Sequence, residues 1–325
     1  MPQSFVVLGH EGFAAMVSAR LADAGYARAS EVASADIVLT FCTSQSDLEE
    51  RYFGDAGIVS DAAPGTLLID MSATTPSFAR EIYAVAAVSD LAMVEAPLVV
   101  ADVAAREAFA RENLSCFLSG EDDPVARATP VLEALVGVVH AVGGPGEAQL
   151  ARAAYTLQIA AQVIAVIEAD ALYHAHRRSA LGGGIAAVHP GAASPQAASV
   201  LEAVEQARFD GAYTVEMLMS EVSAAIMAAD DVELIIPQAE SAMHLLELLA
   251  IIGGSDKSPV ALALAYGEEE DCARNGLDWT RAEQAYGQGA DHDHDHDHGD
   301  DDDFDGFDDF DFDDPYGAGF DYSSN

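Results

Sequence analysis

Residues 4–13 read Ser4-Phe5-Val6-Val7-Leu8-Gly9-His10-Glu11-Gly12-Phe13. Ser4 to Leu8 is short, apolar on both faces and stopped by Gly9, the pattern of a buried strand. Beyond it, Phe13, Met16, Val17 and Leu21 recur at helical spacing over residues 12–24. A strand, a tight glycine turn and a helix N-terminus, in that order, form an anion cradle. The unpaired amides of the first helical turn point to where a dinucleotide pyrophosphate would sit. Leu8, Gly9, His10, Glu11 and Gly12 are therefore candidate cofactor contacts. Glu11 has two compatible readings. Its carboxylate opposes a pyrophosphate, at a cost on the order of 1–4 kcal/mol over a few ångström in a partly dry site. It also complements the positive end of the helix dipole.

Outward from this stretch, residues 36–42, 66–71, 93–95, 115–118 and 138–142 read as further strands, with helical stretches at 77–87 and 124–135. Strands apolar on both faces that alternate with helices predict a parallel sheet covered on both sides. Only residues 26–35 separate the first helix from the strand at Asp36, room for a stub of strand and no second helix. Arg28 is the one base there able to reach an adenosine ribose, and it reads equally as an ordinary loop arginine. Near Gly146 the pattern changes. Residues 147–175 form one long helical stretch without Gly or Pro, and 196–206, 215–229, 237–252 and 259–275 also read as helical. The expected fold is α/β: a Rossmann-type parallel sheet with a shortened second strand–helix unit (1–146), an all-α domain (147–286) and a disordered acidic tail (287–325).

The bulk numbers bound the function. The 325 residues are 50% hydrophobic and 21% charged, enough for two folded domains. The net charge is −41; 15 of the acidic residues lie from Asp291 on, leaving 40 acids against 14 bases, or −26, in the first 290 residues. Such a surface repels nucleic acid and anionic membranes. The N-terminus carries no basic leader, and no apolar run of about 20 residues stands out as a bilayer span. Cys42, Cys116 and Cys272 are widely spaced and odd in number, which suits a reducing compartment. A cytoplasmic protein is expected. The chain has one lysine, Lys257.

Four further stretches carry chemistry. They are Asp70-Met71-Ser72-Ala73-Thr74-Thr75-Pro76, Glu95-Ala96-Pro97-Leu98-Val99-Val100-Ala101, the segment 143–156 with Gly143, Gly146, Gln149, Arg152 and Tyr155, and the segment 209–225 with Ser220-Glu221. With the turn at Leu8-Gly9-His10-Glu11-Gly12, these resemble the β-hydroxyacid dehydrogenase family, which includes 3-hydroxyisobutyrate dehydrogenase, over about residues 4–285. The resemblance implies NAD or NADP as cofactor and a small hydroxy acid as substrate. It implies that Ala73 replaces a Thr near the nicotinamide, and that Leu98, Val99, Val100 and Ala101 replace the Val-Ser-Gly-Gly whose Ser and Gly bind the substrate carboxylate. Arg152 stands where the family has its catalytic lysine, Tyr155 where it has an asparagine, and Ser220 where it has a second lysine. The family lysine exchanges a proton with the substrate hydroxyl. An arginine keeps its proton at any ordinary pH, so Arg152 suits anion binding and is a poor base.

Arg152 and Tyr155, three apart on one helix face, are thus the candidate catalytic pair. Cys42 and Thr43, at the end of the strand from Asp36, and Ser72 are further candidate cofactor contacts; Cys42 also reads as a small packing residue. His174 and His176 beside Arg177 and Arg178 read as the basic end of the long helix, with a catalytic role as the alternative. In the tail, His292, His294, His296 and His298 alternate with Asp and offer imidazole ligands for zinc or nickel, against the simpler reading of a solubilising tail. Aromatic residues among the tail acids could dock a basic partner. Three functions follow: a divergent oxidoreductase acting on a small acid, a non-catalytic scaffold on the same fold, or a metal-binding protein acting through its tail. The breadth of the long helix's apolar face predicts a homodimer or larger homo-oligomer.

Overall fold

The computed structural model describes residues 2–181 and 191–287. The chain runs β1 (Ser4–Gly9), α1 (Glu11–Asp23), β2 (Ala27–Arg28), β3 (Ile37–Phe41), α2 (Gln45–Phe53), α3 (Ile58–Asp61), β4 (Leu67–Asp70), α4 (Pro76–Val88), β5 (Ala92–Glu95), β6 (Leu98–Val100), β7 (Leu114–Gly120), α5 (Asp122–Leu135) and β8 (Val138–Gly143). It continues through α6 (Glu147–Leu181), α7 (Pro195–Glu205), α8 (Val215–Asp230), α9 (Pro237–Leu249), α10 (Leu262–Ala265), α11 (Glu269–Arg274) and α12 (Thr280–Gly287). The tail readings, including metal binding by His292, His294, His296 and His298, lie outside the described residues.

The expected change of architecture after Gly146 holds. The second strand is a two-residue stub followed by one 3-10 turn at Val32–Ser34, as the short 26–35 segment requires. Strand order is β2-β1-β3-β4-β5-β7-β6, with β8 on the far side of β7. Alternation sorts the core onto both faces. Ile37, Leu39 and Phe41 point to one side with Phe5, Phe13, Val17 and Leu21, while Val38 and Cys42 point to the other with Leu48, Tyr52, Phe78 and Ile82. Each fully buried Leu, Ile or Phe contributes about 1.5–3 kcal/mol.

The sheet is mixed, which corrects the all-parallel expectation. The first five strands are parallel; β7 runs antiparallel to both β5 and β6. The two share one register along β7, Glu95 opposite Ser119 and Leu98 opposite Cys116. They amount to one long strand interrupted at Ala96-Pro97, because Pro97 has no amide to donate. Periodicity does not reveal strand direction, so this reversal was invisible in the sequence. The helix α2 also went unread. Its start is the local signal Ser44-Gln45-Ser46-Asp47, where the Asp47 amide donates to Ser44 Oγ at 3.2 Å.

In the helical region, the stretch read as one helix over 237–252 ends at Leu249 and passes into a wide turn, Ala250–Gly254, where Gly253 takes φ 103°. The stretch 259–275 is a 3-10 turn and two short helices. The glycines at 253, 254 and 267 mark these breaks. By length and composition α6 is apolar enough to span a bilayer, which corrects the reading that no run qualifies. Its inward side, including Ala153, Ile159, Ala160, Val163 and Ile167, is buried inside the protein, against β7, α7, α8 and α9.

Candidate active-site cleft

The cleft lies where the ends of β3, β4 and β6 meet α6 and α8. The glycine turn is in place. Gly9 has φ 111°, and a Cβ there would lie 2.0 Å from the Phe41 carbonyl oxygen, so only glycine fits. Two of the four amides from His10 to Phe13 are spent, however. The His10 amide donates to the Phe41 carbonyl at 2.8 Å, and the Phe13 amide donates to His10 Nδ1 at 3.4 Å. His10 caps α1 with its own ring, and that ring stands over Gly12, where a Cβ would meet Cε1 at 3.3 Å. Glu11 is exposed in the first turn of α1. Leu8 packs beneath the turn with the second core cluster.

The strand ends are tied to each other. Ser72 Oγ accepts from the Cys42 amide at 2.9 Å and is fully buried. Cys42 is likewise buried, and its thiol pKa is pushed up, chiefly by burial and then by Asp47. It reads as a packing residue. Thr43 Oγ1 donates to Glu216 on α8 at 3.1 Å, a bond from the end of β3 to the helical region. Gln149 clamps the 72–74 turn to α6: its Oε1 accepts from the Thr74 amide at 3.1 Å and its Nε2 donates to the Ser72 carbonyl at 3.0 Å. Thr75, followed by Pro76, caps α4 by accepting from the Phe78 amide at 3.1 Å.

Arg152 does face the cleft, on α6. Its guanidinium is buried and pairs with Glu221 of α8, Nη2 to Oε2, at 2.8 Å. Its Nε donates to the Leu98 carbonyl at 3.4 Å. Glu221 also accepts from Thr156 Oγ1 at 3.3 Å and from the buried Tyr213 hydroxyl. Burial raises the Glu221 pKa, opposed chiefly by Arg152. Tyr155 borders the neighbouring void with Glu221 and not the cavity at Arg152. It packs edge-on to Phe117, and burial, then the Glu221 charge, raise its phenol pKa. The candidate catalytic pair therefore shares a helix but not a cavity. Sequence reasoning missed Glu221 as the partner of Arg152. A signal was there: an arginine on a core-facing helix stripe with no acid one turn away needs a carboxylate from another element. Lys257, the lone lysine, is committed to Asp210 at 2.9 Å.

Phe41, Met71, Leu98 and Met217 close around Arg152 and leave a cavity of about 10 Å3, the room of a single water. A neighbouring void bounded by Val99, Val100, Tyr155 and Glu221 is also about 10 Å3. A larger cavity of about 340 Å3 adjoins the space beside Arg152 and shares Thr43 and Ser220 with it; others measure about 210 and 390 Å3. The small space beside Arg152 is itself too narrow for a nicotinamide ring, and Val99 and Val100 sit where the resemblance implies Ser and Gly.

A second buried cluster lies beneath the cleft. Asp70 and Glu95 are register partners on β4 and β5, and both are buried. Asp70 Oδ1 accepts from Thr40 Oγ1 at 2.9 Å and from the Ser72 amide at 3.0 Å, while Glu95 Oε1 accepts from the Gly146 amide at the mouth of α6. Asp70 Oδ2 and Glu95 Oε2 have no partner. Burial pushes the Glu95 pKa up to about 7, with Gly146 opposing and Asp70 adding. Burial likewise raises Asp70 to about 6.

The comparisons agree with this architecture. A family profile described as the NAD binding domain of 6-phosphogluconate dehydrogenase matches residues 10–143. A probable 3-hydroxyisobutyrate dehydrogenase-like protein of Arabidopsis thaliana is 32% identical over 133 residues, covering 41% of this chain and 43% of that one. A second Arabidopsis protein so described is 26% identical over 233 residues, 71% of this chain and 68% of that one. The chain thus spans less than half the length of the first of these relatives. Among solved structures, the 3-hydroxyisobutyrate dehydrogenase of Mycobacterium tuberculosis with L-serine superposes with a TM-score of 0.63 at 22% identity, over 82% of this chain and all of that one. The turn at Gly9, the clamp at Gln149, the matched profile and the shared fold make this chain similar to the β-hydroxyacid dehydrogenases, with residues 10–143 matching an NAD-binding domain.

Proposed function

We propose that this chain keeps the 3-hydroxyisobutyrate dehydrogenase-like scaffold but does not oxidise a small hydroxy acid, and serves as a non-catalytic binding protein. The observation that carries this reading is the buried Arg152–Glu221 pair at 2.8 Å. In a working site of this kind the cofactor supplies hydride acceptance, and a side chain must take the hydroxyl proton. Arg152 keeps its proton and is held by a carboxylate. The Tyr155 phenol has its pKa raised by burial and by Glu221, Ser72 is spent on Cys42, and Lys257 is spent on Asp210. The narrow space beside Arg152, the ring of His10 over Gly12 and the exposed Glu11 favour weak or absent dinucleotide binding.

The test is titration of the full-length protein with NADH and NADPH, read by nucleotide fluorescence and by thermal shift. No saturable signal is expected up to millimolar nucleotide, and no turnover is expected on 3-hydroxyisobutyrate or L-serine. Arg152→Lys is expected to stay inactive, because Val99 and Val100 still occupy the carboxylate-binding place. Turnover by the parent chain or by this variant would overturn the reading.

A homo-oligomer through α6 belongs to the same proposal. Leu150 and Leu172 are 54% and 72% exposed and stand about 40° apart around the helix. Between them the same face carries Ala154, Ala165 and Ala169 together with Gln158, Gln162 and Glu168. Small residues beside exposed leucines suit close packing of a second copy. Leu172→Glu is expected to shift the mass measured by light scattering to that of the monomer; a parent chain already monomeric at high concentration removes this part of the reading.

A further inference from the structure

We propose that the cavity between the 103–108 turn and the 208–213 loop is a binding site for a small oxyanion, a phosphate or a carboxylate. The cavity is about 210 Å3. Its walls bring together Arg106 and Arg208 with Tyr213 and Ser258. In a chain of net charge −41 with 14 basic side chains, two guanidinium groups on one cavity are a local reversal of sign.

Arg208 is the telling residue. Its Nη1 donates to the Ala104 carbonyl at 2.8 Å, which fixes the guanidinium against the 103–108 turn. Its Nε is sealed from solvent, so the part of the fork that the cavity can use is Nη2, whose two N–H groups are donors only. Arg106 is exposed at the rim, and its Nη2 donates to Gln206 Oε1 at 2.7 Å, which leaves further N–H groups of its fork free to turn inward. Ser258 Oγ accepts from the Val260 amide at 3.4 Å, so its hydroxyl proton remains to be given. The one acid on the wall, Asp210, is neutralised by Lys257 at 2.9 Å. Donors without acceptors, set in a fixed fork, are what a tetrahedral or planar oxyanion satisfies. The site lies beyond Tyr213 from the Arg152–Glu221 pair and does not depend on the loss of dehydrogenase activity.

The test is calorimetric titration of the full-length protein with inorganic phosphate and, separately, with malonate, at constant ionic strength. Saturable one-site binding is expected for at least one of them. The pattern names the source: phosphate alone assigns a phosphate-bearing ligand, malonate alone a carboxylate, and both a general oxyanion site. Arg106→Gln, at an exposed position that does not threaten folding, is expected to weaken binding at least about tenfold, and Arg208→Gln is expected to abolish it, with circular dichroism confirming that each variant is folded. Kosmotropic anions raise Tm without a site, so a stabilisation shared equally by parent and both variants counts against the proposal. No saturable binding of either anion, or parent-like binding by folded Arg106→Gln and Arg208→Gln, overturns it.

Discussion

Glu221→Ala is expected to cost about 3–5 kcal/mol of unfolding free energy. The substitution leaves the Arg152 guanidinium buried with one long bond to the Leu98 carbonyl, and it takes an acceptor from Thr156 and Tyr213 as well. The penalty is the desolvated charge, not the worth of the pair itself. Removing both partners separates the two. Arg152→Met with Glu221→Leu is expected to be near neutral, or more stable than the parent by about 1–4 kcal/mol. Urea unfolding of the two singles and the double closes a mutant cycle. A single-variant cost below about 1 kcal/mol would place the guanidinium in contact with water and remove the main support for a locked, non-catalytic cleft.

The second large effect is in pH. Glu95 and Asp70 have folded pKa values of about 7 and about 6, above their ordinary values of 4.5 and 3.8. The folded state therefore binds protons that the unfolded chain has released. The stability these groups contribute is fully present below about pH 4 and is lost as pH rises through 6 to 7. The loss from about pH 4 to above pH 7 is on the order of 3 kcal/mol for each group. Glu95→Gln keeps an acceptor for the Gly146 amide and can turn its amide toward Asp70. It is expected to be close to neutral at pH 5 and to stabilise by about 2–3 kcal/mol at pH 8. The carboxylates at the surface also repel one another less as pH falls, so the informative quantity is the difference between parent and variant. Urea midpoints at pH 5, 6.5 and 8 give it; parallel pH slopes for the two proteins would show that Glu95 does not titrate in this range. The position of the pair gives the titration reach, because Glu95 holds the amide at the start of α6, the helix that carries Arg152 into the cleft.

The residues show how far each conclusion was legible in the sequence. Local signals reported local facts. The run Ser4 to Gly12 specified a strand, a turn and a helix, because the 2-residue and 3.6-residue periods are written into the side chains. The shortness of residues 26–35 ruled out a second crossover helix, and the absence of Gly and Pro from 147 to 175 marked the long helix. The replacement of an expected lysine by Arg152 was equally plain, since the loss of a titratable amine needs no coordinates.

Strand direction in β7, the pairing of Arg152 with Glu221, the buried Asp70–Glu95 pair and the convergence of Arg106 with Arg208 were decided only by the tertiary structure. Each joins residues tens of positions apart. Nothing in a side chain's own pattern records which distant group will share its desolvation once water is gone. The sequence by itself determined which groups this protein possesses and which elements carry them. Packing alone decided which charges lost their solvent and whose company they kept, and that is where the cleft's chemistry was settled.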